Sequence, residues 1–248
     1  MTVFDISKNE LRRLFLTPLA WTILALVQFI MTVIFLYFLY QIEVNPELAA
    51  VNGVSRSVIP NTLLFAGVLF LFISSFLSMR LVSEERRSGT INLLLSSPVT
   101  PAEIVLGKYL GLLLFFLLIL VMVSLLPLSL AFGTSLDFGL LASGLTGLLL
   151  LASSFTAVSL FVSTLTRQPV AAAVITFGLL FFLCIIHVLS AAGNETSSRI
   201  INYLSMQRHL ANFLLGFLSS IDIIYYLLVS VVFLLLGIIR LDVLRRLD

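Results

Sequence analysis

Apolar residues in this chain do not alternate with polar ones; they run in long unbroken blocks. Six blocks stand out: Leu19–Tyr40, Asn61–Met79, Tyr109–Ala131, Phe138–Leu165, Val170–Ser190 and Ile223–Ile239. Crossing ~30 Å of hydrocarbon takes about 20 apolar residues in a helix, because lipid leaves no water to satisfy the backbone. A membrane barrel would show short alternating strands in place of continuous Leu, Val and Phe runs. The pattern therefore predicts an all-α, polytopic integral membrane protein with six transmembrane helices. The first block is longer than a signal-peptide core and no small-residue cleavage site follows it, so it is expected to be retained. Residues 1–248 are expected to form a single transmembrane domain. Within it, 1–17 is an amphipathic interfacial helix, 80–108 a structured loop, and 191–222 an outer helical segment with re-entrant helices before the last span.

Composition supports this class. Apolar residues make up 60% and charged residues 10% of the 248, against roughly 25% charged in a soluble domain. The net charge of +2 points to no nucleic-acid partner, and the one cysteine, Cys184, forbids an intrachain disulfide framework. Charge placement gives the orientation. Lys8, Arg12, Arg13, Arg80, Arg86, Arg87, Lys108, Arg167, Arg240, Arg245 and Arg246 fall on one side of the six-span arrangement, and only Arg56, Arg199 and Arg208 on the other. The richer side is cytoplasmic, which places both termini there and the chain in the cell (cytoplasmic or inner) membrane, in contact with membrane lipid.

The loops carry more pattern than the spans. At the N-terminus, Ser7 followed by Glu10 fits a capping box, with Ile6 and Leu11 as its staple. Phe4, Leu11, Leu14 and Phe15 then share one face, while Lys8, Arg12 and Arg13 face headgroups or a partner; a basic anchor with no further role accounts for the same residues. In 80–108, the second span is expected to continue as a charged helix through Ser83, Glu84, Glu85, Arg86 and Arg87. Gly89 stops it and Thr90 caps a short helix, Ile91–Ser96, which Pro98 ends. Thr100-Pro101-Ala102-Glu103 then starts the third span with a cap, a proline and a matching glutamate. Mixed charges on this element suit another protein better than anionic lipid, although they also suit a merely solvated loop.

Inside the spans, Gly107 and Gly111, and Gly139, Ser143 and Gly147, recur at intervals of four. Small residues at that spacing let helices approach closely, within the subunit or across a dimer. Thr156, Ser159, Ser163 and Thr166 form a hydroxyl stripe, most simply read as bonding back to its own helix. No Asp, Glu, Lys or Arg sits in the middle of any span, which disfavours a proton-driven carrier. No phosphate-binding G-x-x-x-x-G-K-[ST] loop is present, nor H-E-x-x-H or G-x-S-x-G, and His187 and His209 have no acidic or cysteine partner at useful spacing. Arg208 and His209 fit a helix end at the headgroup level.

The run Ser83-Glu84-Glu85-Arg86-Arg87-Ser88-Gly89-Thr90, then Leu93 to Val99, then Glu103 to Lys108, resembles the first cytoplasmic loop of ABC exporter permeases of the type-2 class. The opening Glu10-Leu11-Arg12 with Thr17-Pro18, and the stretch from Tyr203 through His209, Asn212-Phe213, Asp222 and Tyr225-Tyr226 to Arg240, are similar to its gliding-motility and copper-enzyme-maturation branch. Asn92 departs from the acidic residue common there. The resemblance implies a non-catalytic permease subunit that binds no cofactor itself. Its implied partners are a second permease, identical or different, and cytoplasmic ABC ATPase subunits that carry ATP and Mg. It further implies that Glu84, Glu85, Arg86, Arg87, Gly89 and Thr90, with Arg12 and Arg13, form the ATPase-coupling interface. A membrane scaffold for an envelope complex and a secondary carrier are the alternative functions.

Overall fold

The computed structural model describes residues 3–90, 99–186 and 203–247. Among them there is no strand; the chain is a bundle of helices. Helix α1 (Val3–Leu16) ends at Thr17, whose hydroxyl and amide both return to the Leu14 carbonyl. Pro18 opens α2 (Pro18–Val44), and Pro46 opens α3 (Pro46–Ser78), where a missing amide hydrogen is harmless. Gly53 kinks α3 with φ of 77°, a left-handed backbone that glycine adopts without a Cβ penalty. After α3 the ladder widens into one π turn, Met79–Ser83, and runs on as α4 (Glu84–Ser88). Gly89 ends α4 at φ 75°, ψ −1°, the left-handed stop its sequence context predicts.

Helix α5 (Pro101–Leu128) starts with the capping box read from the sequence: Thr100 accepts from the Glu103 amide and Glu103 from the Thr100 amide. A 3-10 turn, Ser129–Phe132, closes it. Asp137 caps α6 (Phe138–Leu165); α7 (Pro169–Ile185), α8 (Met206–Leu214) and α9 (Ser220–Leu247) complete the bundle.

Among the described residues, five helices are long and apolar enough to cross a membrane: Pro18–Val44, Gly53–Ser88, Pro101–Phe132, Phe138–Leu165 and Ser220–Arg245. Four of them run past the predicted blocks at one or both ends, because polar residues at the interfaces extend a helix without needing lipid. The predicted fifth span shows as α7 up to Ile185; its remainder, with His187, lies outside the described residues. So do Ile91–Ser96, Asn92, Pro98 and the polar run Gly193–Ser198.

Helix α6 is the axis. Its apolar window is 72% buried, against 22% for α2 and for α9, and α3, α5, α7, α8 and α9 all pack on it. Lipid offers helices no hydrophobic reason to associate, so close approach and dispersion decide which helix sits inside. Helix α6 has the small residues for it: Gly144, Gly147, Ala152, Ser154 and Ala157 are buried along it. Phe29, Val33 and Leu36 on α2, and Leu228, Val231 and Leu235 on α9, face outward, as suits a lipid-facing surface.

The π turn has a specific support. Widening the ladder displaces two amides, and the Ser163 hydroxyl on α6 accepts from both, Val82 at 2.9 Å and Ser83 at 3.0 Å. Thr156 and Ser159 bond back to α6 carbonyls. Ser163 therefore leaves the stripe's expected pattern: it serves another helix.

Candidate functional site

Both strands of sequence pattern at the charged end converge on α1, α4 and the start of α5. Helix α1 begins at Val3, so Ser7 is not a cap; it is buried mid-helix and the capping box expected there does not form. Phe4 is exposed, and the packed face is Ile6, Ser7, Leu14 and, partly, Leu11 and Phe15. What seats α1 is the pair Gly107 and Gly111 on α5. A Cβ on Gly107 would lie 2.6 Å from Ile6, and one on Gly111 3.0 Å from the Glu10 Cβ and 3.1 Å from the Ser7 carbonyl. The two glycines form a groove into which α1 lies.

That approach delivers Glu10 to Lys108. The Lys108 side chain is 2% exposed, with its ammonium 3.3 Å from Glu10 Oε1, 2.8 Å from Glu85 Oε1 and 3.0 Å from the Leu81 carbonyl. All three ammonium donors are directed. Glu85 is turned into the bundle and also accepts from Arg13 at 3.0 Å. Glu10, Arg13, Glu85 and Lys108 thus form a neutral group of four charges that ties α1, the π turn with α4, and α5 together. Its parts differ in weight. Removing one member of a buried pair typically costs 3–5 kcal/mol, because the other charge is stranded. The Arg13 arm is 64% exposed and worth about 0–1 kcal/mol. Lys108 is the hub.

The residues named for the coupling interface divide. Glu84, Arg87, Gly89 and Thr90 are exposed, as are Arg12 and Arg13. Glu85 is buried in the ion cluster, and Arg86 reaches back to donate to the Thr164 carbonyl at 2.7 Å. Only the first group faces outward; Glu85 and Arg86 hold the element to the bundle. Thr90 returns a weak bond to the Glu85 carbonyl at 3.4 Å and lies 2.9 Å from the Ser88 hydroxyl. A groove of about 480 Å³ opens beside the cluster, lined by Ile6, Asn9, Arg12, Leu16, Val99 and Ile104 together with Glu10, Arg13, Glu85 and Lys108. A second, of about 700 Å³, lies between α2 and α4 under Arg80, Glu84 and Arg87.

The other small-residue stripe acts at the far end. Ser143 donates to the Phe213 carbonyl at 2.9 Å, and a Cβ on Gly147 would meet the Phe213 Cβ at 2.6 Å, so both seat α8. Gly139 is exposed and, among the described residues, packs on no other helix; the packed stripe begins one turn after it. Neither His209 nor its surroundings match a headgroup-level helix end. His209 is buried and its Nδ1 lies 2.5 Å from Asp222 Oδ1, a partner 13 residues on, across the turn from α8 to α9. Glu10 and Lys108 were likewise absent from the expected interface. A lysine between two spaced glycines at the start of an apolar run was the available signal for the hub. Among the described residues no group of three His, Cys, Asp or Glu gathers to hold a metal.

A lipid-facing helical bundle carrying a charge-stapled platform at one end defines a multi-pass membrane protein. Residues 5–243 match the family described as ABC-2 family transporter protein, and the chain belongs to that family. It is accordingly a permease component of an ABC transporter, the membrane part that works with an ABC ATPase subunit. No curated protein matches the chain.

Proposed function

We propose that this chain is the permease subunit of an ATP-driven exporter in the cytoplasmic membrane, of the gliding-motility and copper-enzyme-maturation branch. It crosses the membrane six times with both termini inside. It pairs with a second permease, identical or different, and with ATPase subunits that bind ATP and Mg, while the chain itself holds no cofactor. The observation that carries this is the ion cluster around Lys108. It makes α1, α4 and the head of α5 move together, so a push on the exposed face of α4 reaches the membrane helices α3 and α5 directly. The face that receives the push is Glu84, Arg87, Gly89 and Thr90, with Arg12 beside it.

The double reversal Glu84→Lys with Arg87→Glu tests this. Both residues are exposed, so the variant inserts and folds as the parent does. Co-purification of the ATPase with the chain is expected to fall at least tenfold, and stimulation of ATP hydrolysis by the permease is expected to be lost. Unchanged co-purification and unchanged hydrolysis would remove this face from the interface.

A further inference from the structure

We propose that the groove between α2 and the junction of α3 with α4 binds one glycerophospholipid whose headgroup is a phosphate followed by a primary amine. The groove holds about 700 Å³, a size that suits a small-molecule site. One part of its wall is apolar and comes from membrane helices: Leu19, Ile23 and Leu26 on α2, Phe76 on α3, and Met79 where the π turn begins. Leu26 and Phe76 are exposed on the outer surface of the bundle, so this part of the groove opens onto lipid.

The other part is polar and lies at the level of the membrane surface. Thr22 lines the groove next to Trp21, an exposed indole just inside the start of α2, and tryptophan gathers at that level. Arg80, Glu84 and Arg87 rim the groove and follow one another at about one helical turn, as α3 leaves the apolar region and becomes α4. Arg80 is the innermost. Its Nη1 donates to the Thr17 hydroxyl at 3.3 Å, and that hydroxyl donates on to the Leu14 carbonyl at 2.8 Å, which holds the guanidinium at the groove's edge. That bond takes one N–H of a planar fork that presents several, in a geometry matched to phosphate oxygens. Basic pockets between membrane helices are a recurrent form of lipid-headgroup site.

The order of the charges selects the occupant. From the apolar part outward the groove presents Arg80, then Glu84 about 5 Å farther along the axis. A phospholipid has the same order with opposite signs. Its phosphate is joined to the glycerol, nearest the acyl chains, and in an ethanolamine headgroup the amine follows on the far side. The phosphate then meets Arg80, the ammonium meets Glu84, and an acyl chain runs along Leu26 and Phe76. A headgroup without an amine leaves the Glu84 carboxylate facing only negative charge. A quaternary amine fills the place but has no N–H to donate. Arg87 closes the outer rim, one turn beyond. The inference holds for either orientation of the chain and does not rest on the ATPase interface.

The full chain in nanodiscs of equal parts phosphatidylethanolamine, phosphatidylglycerol and phosphatidylcholine tests this, with the lipid retained on the released chain identified by native mass spectrometry. One retained phosphatidylethanolamine is expected, in about threefold excess or more over either other lipid. Arg80→Gln is expected to lower the retained lipid about tenfold. Glu84→Gln, at an exposed position, is expected to keep a lipid but to hold the three alike. Leu26→Trp narrows the groove without touching a charge and is also expected to lower retention, which keeps the test decisive should Arg80→Gln fail to insert. A wild-type chain that retains no lipid or prefers phosphatidylglycerol would overturn the proposal. So would an ethanolamine preference that survives Glu84→Gln, or retention unchanged in Arg80→Gln and Leu26→Trp. No ATPase takes part in this measurement, so its failure leaves the ATPase face to its own test.

Discussion

The two ends of the bundle solve one problem by different chemistry. Each must fix a short helix to a long one through a buried carboxylate, Glu85 at one end and Asp222 at the other. At the first, the carboxylate meets two basic side chains, Lys108 and Arg13. At the second it meets His209 and the Asn212 amide, with no Lys or Arg paired to it among the described residues. The first end is thus fastened by full charges, the second by a histidine and a neutral amide.

The largest expected effect breaks the stable end. Lys108→Met keeps the length of the side chain and removes the charge, leaving the buried Glu85 facing the half-buried Glu10. The loss expected is about 3–5 kcal/mol, read as a lower melting temperature of the detergent-solubilised chain and as exposure of 3–16 to protease. If melting shifts by no more than it does in surface variants, the cluster is solvated and Lys108 is not a hub.

A smaller effect isolates the π turn from the ion cluster. Ser163→Ala removes the acceptor of the Val82 and Ser83 amides without touching a charge. Stranding a buried donor costs about 1–3 kcal/mol, and the expected signature is local: faster exchange of amides 79–84 with α1 still protected. Global destabilisation in its place would mean that the turn and the cluster are a single unit.

Much of this molecule is readable before any coordinates. The apolar blocks are legible because lipid tolerates no interruption, and the Gly89 stop and the Thr100–Glu103 cap are legible because their partners lie within three residues. Failures begin where partners are distant. Ser7 and Glu10 match a capping box by spacing, but the Glu10 carboxylate is claimed by Lys108, 98 residues away. Glu84 and Glu85 look alike in sequence; one residue turns a helix by about 100°, enough to put one in water and the other in the ion cluster. His209 and Asp222 are separated by a turn around Gly216, at φ 90°, whose direction no periodicity encodes. Gly139 fits the small-residue spacing yet meets no neighbouring helix among the described residues, since spacing specifies a face and not what covers it.

The smallest effect sharpens the contrast within the charged end itself. Arg13 and Lys108 share one oxygen of Glu85, so a count of salt bridges would rank them as equals. Exposure separates them. The Arg13 guanidinium keeps most of its water, and its bond carries the weight of a surface pair, about 0–1 kcal/mol. Arg13→Ala is therefore expected to lower the melting temperature by no more than a few degrees, and less still in high salt, where exposed charges are screened over a few ångströms. If Arg13→Ala instead matches Lys108→Met, the cluster is one cooperative network of four charges, and the platform's stiffness depends on α1 being held from its solvent side as much as from within.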